Sequence, residues 1–209
     1  MLASLRSFFR HKDKNLADNR WIFASMLVGA IFSFIAAFIL SVEAVDLAKN
    51  PGAALSCNIN AVLNCAKVGL HPTAFLFGFP NSFLGLIAEP VVMTVAVAGL
   101  AGVRFPRPFM FAAQIGYTLG FIFAFYLFYI SFFIIQALCP WCLLVTLSTA
   151  FVFFSMTRFN IRENNLYLPK NIQTKLHHWI EKDYDKLLLF SIVAVCVAAI
   201  LAKYGDAIL

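Results

Sequence analysis

The sequence predicts an all-α integral membrane protein, with a four-helix transmembrane bundle followed by a fifth transmembrane helix. Three observations lead to this prediction. The chain of 209 residues is 62% hydrophobic and only 12% charged, whereas a soluble domain carries roughly 25% charged residues. Its apolar residues gather in long runs of the length that crosses a bilayer. Its Lys and Arg residues gather at the ends of those runs.

The expected spans are residues 21–42, 81–103, 109–138, 142–156 and 187–202. The first is longer than the apolar core of a secretion signal, roughly 7–15 residues, so we expect a retained anchor. The fourth and fifth are at or below the usual lower limit of a spanning helix, roughly 17 residues. We therefore expect the fourth to start slightly below the outer surface or to lean on its neighbours.

The basic residues predict the orientation of the chain. With a cytoplasmic N-terminus, all but Lys49, Lys67 and Lys203 of the 16 Lys and Arg residues face the cytoplasm. Such an excess is typical of the inner side of a membrane protein, and it places the C-terminus outside. It also accounts for the net charge of +6 without nucleic acid, because a nucleic-acid-binding protein concentrates its basic residues on one soluble face.

These spans divide the chain into four parts. Residues 1–20 form a cytoplasmic basic arm that includes Arg6, Arg10 and Lys12. Residues 21–157 form the four-helix bundle, with an outer loop at 43–80. Residues 158–186 form a cytoplasmic link with an amphipathic helix, whose apolar face would lie in the membrane interface. Residues 187–209 form the fifth helix and the outer C-terminus.

Four of the five cysteines are expected on the outer face, where disulfides persist: Cys57, Cys65, Cys139 and Cys142. Cys-Pro-Trp-Cys at the start of a helix favours a reactive thiolate, because free backbone N–H groups and the helix dipole stabilise the anion. The loop pair is either redox-active or a static disulfide. A zinc site is the other alternative, but the loop spacing differs from the usual Cys-x2–4-Cys, so we predict no metal. Cys196 falls in the fifth span as a small apolar residue.

Two cysteine pairs on one face predict a thiol–disulfide relay. The chain shows no nucleotide-binding pattern, so the electron acceptor must reach a cysteine pair at the membrane, as a lipid-soluble quinone does. A strongly oxidising DsbA-like partner has a potential near about −120 mV, and its re-oxidation requires a still more positive acceptor. The competing hypotheses are a non-catalytic membrane scaffold with a disulfide-pinned loop and a small transporter.

Three linked motifs resemble the vitamin K epoxide reductase family in its bacterial form. They are Cys57-Asn-Ile-Asn-Ala-Val-Leu-Asn-Cys65, Phe77-Gly-Phe-Pro-Asn81-Ser-Phe-Leu-Gly85 and Cys139-Pro-Trp-Cys142. The resemblance covers roughly residues 20–157 and implies a four-helix bundle around a quinone, menaquinone or ubiquinone. It also implies a bacterial cytoplasmic (inner) membrane enzyme, a quinone-dependent thiol-disulfide oxidoreductase that supports disulfide formation in exported proteins. Many relatives carry a fused thioredoxin domain; this chain stops at Leu209, so we expect a separate thioredoxin-like or DsbA-like partner.

The resemblance also assigns roles to individual residues. Cys57 would form the mixed disulfide with the partner, and Cys65 would pass electrons to Cys139. Cys142 would face the quinone ring, and Asn81 would bond a quinone oxygen. The alternative for Asn81 is an N-cap of the second span.

Two further residues are candidates for proton or shuttle chemistry. His71 stands where many relatives have a serine, and it either takes part in that chemistry or caps the apolar segment that follows it. Glu89 lies inside the second span, where an acid is costly and often functional; it either serves a proton route or faces the bundle in a hydrogen bond near Pro90. Thr146 stands where relatives have a tyrosine, which argues against vitamin K epoxide as a substrate.

Overall fold

The structure is a computed structural model that describes residues 14–53, 55 and 57–208. Arg6, Arg10 and Lys12 of the predicted basic arm lie outside the described residues. The described remainder of segment 1–20 is helical and forms the start of the first long helix.

The described chain is almost wholly helical, and five of its helices are long and apolar enough to cross a membrane. The long helices are α1 (Lys14–Lys49), α3 (Ser82–Leu100), α4 (Arg107–Tyr129), α5 (Pro140–Arg162) and α7 (Tyr184–Ile208). The short ones are α2 (Cys65–Gly69), a 3₁₀ helix (Pro72–Phe75) and α6 (Lys170–Glu181). The predicted all-α membrane fold with five spanning helices is confirmed.

Helix α1 extends past the expected span 21–42 at both ends. Residues 43–49 contain no glycine or proline, so the helix continues until the turn at Asn50, Pro51 and Gly52. The outer loop therefore begins after Lys49 rather than at residue 43. This difference matters because it places Glu43 on a rigid helix.

Helix α5 has 23 residues, far more than the expected span 142–156. The polar residues after Met156 continue the helix to Arg162, and this length crosses a bilayer without help. The expected short length of the fourth span is therefore wrong.

Helix α1 is the centre of the bundle, because it packs along both α3 and α5, while α4 packs on α5. Small residues allow the close approach of these helices. A Cβ on Gly85 of α3 would lie 2.6 Å from the Cβ of Ala37 on α1. Ala30 and Ala36 of α1 are fully buried.

Helix α4 ends before the expected limit at residue 138. After Tyr129 the chain makes a π-helical turn at Ile130–Ile135, and Gln136 then adopts a left-handed conformation with φ of 53°. Leu138 pairs with Leu63 of the loop as an isolated parallel β-bridge. The loop after α1 is thus fastened to the junction between α4 and α5, and this region is named here the cysteine end of the bundle.

Helix α7 lies beside the bundle and packs on α5 and α6. At the end opposite the cysteines, Arg158 of α5 forms ion pairs with Asp185 at 2.7 Å and Asp183 at 2.8 Å. On α6, the predicted apolar face is divided: Ile180 is buried against the protein, whereas Ile172 is exposed. The exposed part of this face is the part that remains for a membrane interface.

Candidate active site

The loop that carries the first cysteine pair is shaped by its asparagines. The side-chain oxygen of Asn60 accepts the N–H groups of Val62 and Leu63 at 2.9 and 2.7 Å. The side chain of Asn64 caps α2 by accepting the N–H of Lys67 at 2.8 Å, and Asn58 accepts the N–H of Ala66 at 3.1 Å. These amides fix the backbone around the cysteines.

Cys57 and Cys65 form a disulfide with Cα atoms 5.7 Å apart. Both are buried, with 4% and 3% of their surface exposed, while the neighbouring Ile59 is exposed. The loop pair is therefore covered in this oxidation state, and Leu40 and Leu55 are among the residues that pack against the cysteines.

The second pair lies at the start of α5, with Pro140 in the first turn, where its missing N–H costs nothing. The sulfur of Cys139 caps the helix by accepting the N–H of Cys142 at 3.3 Å. The Cys142 thiol also donates to Cys139 and lowers the pKa of Cys139, as do the N–H groups of Cys142 and Trp141, against the opposing effects of burial and of Glu43. Cys139 is therefore the thiol of this pair that ionises first.

The two pairs meet, because the sulfurs of Cys65 and Cys139 lie 3.1 Å apart. Two backbone hydrogen bonds hold this arrangement: Asn64 N–H to the Leu138 carbonyl at 3.0 Å, and Leu138 N–H to the Val62 carbonyl at 2.7 Å. Cys65 directly follows Asn64 and Cys139 directly follows Leu138, so each cysteine is next to a residue that makes one of these bonds. The spacing suits exchange, in which a thiolate attacks a neighbouring sulfur.

The sulfurs of Cys57, Cys65 and Cys139 all lie within 4.8 Å of one another, a grouping that three thiolates could use to hold a soft metal ion. In the described structure two of them are joined in a disulfide, which takes away their thiolates. The cluster in this state is a place for sulfur exchange. Cys196 lies on α7, away from the other four.

Glu43 lies directly against the first pair, although no sequence motif pointed to it. Its carboxylate oxygens are 3.4 and 3.5 Å from the sulfur of Cys57, and the residue is 9% exposed. In sequence it stands just past the expected first span and far from any motif. The available signal was an acid at the end of a helix whose neighbouring loop carries cysteines, which is too common to be specific.

A cavity of about 610 Å³ opens below the cysteines, between α1, α3, α4 and α5. Its volume is within the range of small-molecule sites, and its walls are mainly apolar. The cysteines and polar residues on its walls are Ser33, Cys65, Thr73, Asn81, Ser82, Glu89, Tyr117, Ser131, Cys139, Cys142, Thr146 and Thr149. The structure therefore brings Cys142, Asn81 and Glu89 to one cavity.

Asn81 stands at the start of α3 but makes no side-chain capping bond there. Its amide N–H instead donates to the Thr73 carbonyl at 2.7 Å, which ties α3 to the 3₁₀ segment. Its side-chain oxygen is buried and has no hydrogen-bond partner among the described residues. A buried polar atom without a partner is costly, so the cavity offers a ready position for a ligand's hydroxyl group.

Glu89 lies deeper on the wall of the same cavity and is 4% exposed. Ser33 of α1 donates to its carboxylate at 2.8 Å, and the Tyr117 hydroxyl of α4 donates at 3.2 Å. Both donors were missed from the sequence, because only the packing of three helices brings them together. This geometry matches the second alternative offered by the sequence, an acid that is hydrogen-bonded within the bundle.

His71 does not join the other candidates, since it is absent from the lining of the cavity. Its ring nitrogen Nδ1 accepts the N–H of Thr73 at 3.3 Å and lies 2.8 Å from the Thr73 hydroxyl. These bonds cap the 3₁₀ helix. The geometry thus gives His71 a structural place at the edge of the site.

A comparison with protein-family models finds a match to the vitamin K epoxide reductase family over residues 24–157. The matched segment runs from α1 into α5 and includes both cysteine pairs together with Asn81 and Glu89. Helices α6 and α7 lie outside it. No curated protein matches the chain.

Proposed function

The chain belongs to the vitamin K epoxide reductase family, and we propose that it is a quinone-dependent thiol-disulfide oxidoreductase of a bacterial cytoplasmic membrane. It would re-oxidise a separate thioredoxin-like or DsbA-like protein on the outer side and so support disulfide formation in exported proteins. The observation that carries the proposal is the 3.1 Å separation between the sulfurs of Cys65 and Cys139, because a relay requires the two pairs to exchange directly.

The first exchange takes two electrons from the partner. A partner thiolate attacks the Cys57 sulfur, the Cys57–Cys65 bond breaks, and Cys65 leaves as a thiolate. The second thiol of the partner then attacks the partner sulfur that is bonded to Cys57. This step frees Cys57 and leaves the partner with a disulfide. Because Cys57 is buried, this step begins with an opening of the loop.

The second exchange moves the electrons inward. The Cys65 thiolate attacks the Cys139 sulfur of an oxidised Cys139–Cys142 pair, and Cys142 leaves as a thiolate. Cys57 then attacks Cys65, re-forms the loop disulfide and releases Cys139. The product has a loop disulfide and two free thiols at Cys139 and Cys142, which is the oxidation pattern of the described chain.

Glu43 gives the second exchange a place for a proton. Its carboxylate lies 3.4 Å from the Cys57 sulfur, within reach of the proton that the Cys57 thiol must lose before it attacks Cys65. A carboxylate beside a thiol also disfavours a second negative charge on that sulfur. Between exchanges Cys57 would therefore stay protonated, and Cys65 would be the attacking thiolate.

The cavity residues fit a quinone at the end of the relay. A bound quinone would accept two electrons and two protons and become a quinol. Cys142 lines the cavity as the thiol from which those electrons leave, and Cys139 then closes the disulfide with it. Asn81 offers its unpaired oxygen to a hydroxyl of the quinol product. Glu89, held by Ser33 and Tyr117, can hold a proton at the deeper end.

The test uses purified protein in detergent, a reduced DsbA-like partner and a short-chain menaquinone or ubiquinone, with quinone absorbance as the readout. We expect the wild type to reduce quinone and Cys142→Ala to lose the activity with every donor. Cys57→Ala should lose the activity with the partner but retain some with dithiothreitol, a small reductant able to reach Cys139–Cys142. Near-normal turnover by Cys142→Ala would overturn the relay, and a wild type inactive with both quinones would favour the scaffold hypothesis.

A further inference from the structure

The end of α7 nearest the cysteines is attached to the π-helical turn at Ile130–Ile135. The Lys203 ammonium and the Tyr204 hydroxyl each donate a hydrogen bond to the Phe132 carbonyl, both at 2.7 Å. A π turn interrupts the regular helical ladder and leaves carbonyl groups to be satisfied by other donors. Here one carbonyl of the turn receives two donors from another helix.

The same two side chains also pack against the turn. The Tyr204 ring meets the Phe132 ring edge-on at 5.4 Å, and Tyr204 is only 8% exposed. The Lys203 ammonium lies 4.6 Å from the centre of the Phe132 ring, a distance at which a cation is attracted to an aromatic face. Polar and apolar contacts therefore fix the same point of the turn.

From this point a continuous set of contacts leads to both cysteine pairs. Phe132, Leu138 and Tyr204 form one buried cluster, and Val62 and Leu63 of the loop pack against it. Leu138 also pairs with the loop through the β-bridge to Leu63. A shift of the turn would thus move Leu138, and with it the backbone that aligns the loop.

We infer that Lys203 and Tyr204 are positioning residues that hold Cys65 and Cys139 at exchange distance. Leu138 directly precedes Cys139, and Leu63 lies two residues before Cys65, so the bridge transmits the position of the turn to both sulfurs. The inference rests on the proposed relay. It also gives a role to α7, which lies outside the matched family segment.

Helix α7 is suited to this role because it is fixed at its two ends. Near its start, Asp185 pairs with Arg158 of α5 at 2.7 Å, and near its other end Lys203 and Tyr204 hold the turn. Between these points most of its surface is open. The helix therefore acts as a strut between the bundle and the cysteine end.

The test compares the wild type with the double variant Lys203→Met/Tyr204→Phe, which keeps the side-chain bulk and removes both donors. Turnover with the reduced protein partner should fall about tenfold, the loss that corresponds to one or two weakened hydrogen bonds. In a Cys57→Ala/Cys65→Ala background, dithiothreitol-supported quinone reduction bypasses the loop and should not change. The matched control is Asp206→Asn, an exposed polar residue at the same end of α7, which should retain wild-type turnover.

A second readout does not depend on quinone. In a Cys142→Ser background, the yield of trapped Cys65–Cys139 disulfide should fall about tenfold when the two donors are removed, with the thermal midpoint little changed. Equal losses of partner-supported and dithiothreitol-supported turnover would show that the contact only stabilises the fold, and would overturn the inference. An unchanged yield of the trapped bond would overturn it as well. If the Cys142→Ser protein traps Cys65–Cys139 but the wild type reduces no quinone, the result would instead count against the proposed function alone.

Discussion

Glu43 places a buried carboxylate against the sulfur of Cys57, at 3.4 and 3.5 Å. The sequence could not identify it, because its neighbour in space is 14 residues away and across a turn. Cys57, Cys65, Cys139 and Cys142 could be proposed from the sequence, because their spacing and expected topology indicate redox chemistry. A motif can point to the proposed reacting atoms, whereas a neighbour such as Glu43 is brought to them only by the fold.

We predict that Glu43→Gln slows steady-state oxidation of the protein partner by about tenfold or more. Each turnover requires Cys57 to lose its proton in the second exchange, and a positioned acid or base contributes at least that much. The remaining rate should rise with pH, because hydroxide must then take the proton of Cys57. Partner oxidation over many turnovers with excess quinone, followed across a pH series, would measure both effects. Asp46→Asn, an exposed acid nearly one turn further along α1, is the matched control and should behave as the wild type; a Glu43→Gln protein with the same rate and pH profile would contradict the assignment.

Cys139 supplies a pH-dependent prediction at the same scale. The Cys142 thiol lowers the pKa of Cys139 by hydrogen bonding to its sulfur, so in the reduced pair Cys139 ionises more readily than an ordinary thiol. Cys142→Ala removes this donor and should shift the titration of Cys139 to higher pH. Alkylation of Cys139 by iodoacetamide, followed by mass spectrometry in a Cys196→Ala background, would report the two midpoints. Identical midpoints would show that Cys142 does not stabilise the thiolate.

At the level of helices, the glycines of α3 and α4 serve opposite purposes. A Cβ on Gly85 would meet the Cβ of Ala37 at 2.6 Å, whereas a Cβ on Gly120 would meet nothing within 4 Å. Gly85 therefore permits close packing of α1 and α3, while Gly120 lines the cavity and leaves it open. The sequence presents both simply as glycines within apolar runs.

This contrast predicts two distinct phenotypes. Gly85→Ala should lower the thermal midpoint and the yield of folded protein, because overpacking costs about 1–3 kcal/mol. Gly120→Val should leave folding intact, since glycine is a poor helix former, but should raise the KM for quinone severalfold by filling the cavity. Thermal unfolding in detergent and quinone titrations would measure the pair, and a Gly120→Val protein with an unchanged KM would remove the cavity as the quinone site.

Element boundaries show where sequence reasoning ends. The number and order of the spanning helices follow from apolar runs, which depend only on the chain's own composition. The π turn at Ile130–Ile135 and the bridge between Leu63 and Leu138 do not, because they depend on tertiary partners such as Tyr204. The same is true of residues 43–49. Their polar side chains predict a loop, whereas in the structure they are helical and Glu43 lies beside Cys57.

For the whole molecule, charge placement predicts that the cysteine end faces outward. In a variant without native cysteines, Leu70→Cys should react with a membrane-impermeant maleimide in intact cells. Arg104→Cys, in the link between α3 and α4, should react only after the membrane is opened. Both positions are exposed, so the side of the membrane on which each position lies decides whether the reagent reaches it. The opposite pattern would invert the topology and place the relay in a compartment where disulfides are rare.

The central claim is that two cysteine pairs, distant in sequence, exchange directly at one end of the bundle. The most direct measurement is disulfide mapping of the non-reduced Cys142→Ser protein, in which one of the two thiols that can resolve a Cys65–Cys139 bond is gone and only Cys57 remains to reverse it. The account predicts a Cys65–Cys139 disulfide that joins a loop peptide to the peptide at the start of α5, since these sulfurs already lie 3.1 Å apart. Finding only Cys57–Cys65, with Cys139 free under every redox condition, would contradict the relay and leave the loop disulfide as a structural bond.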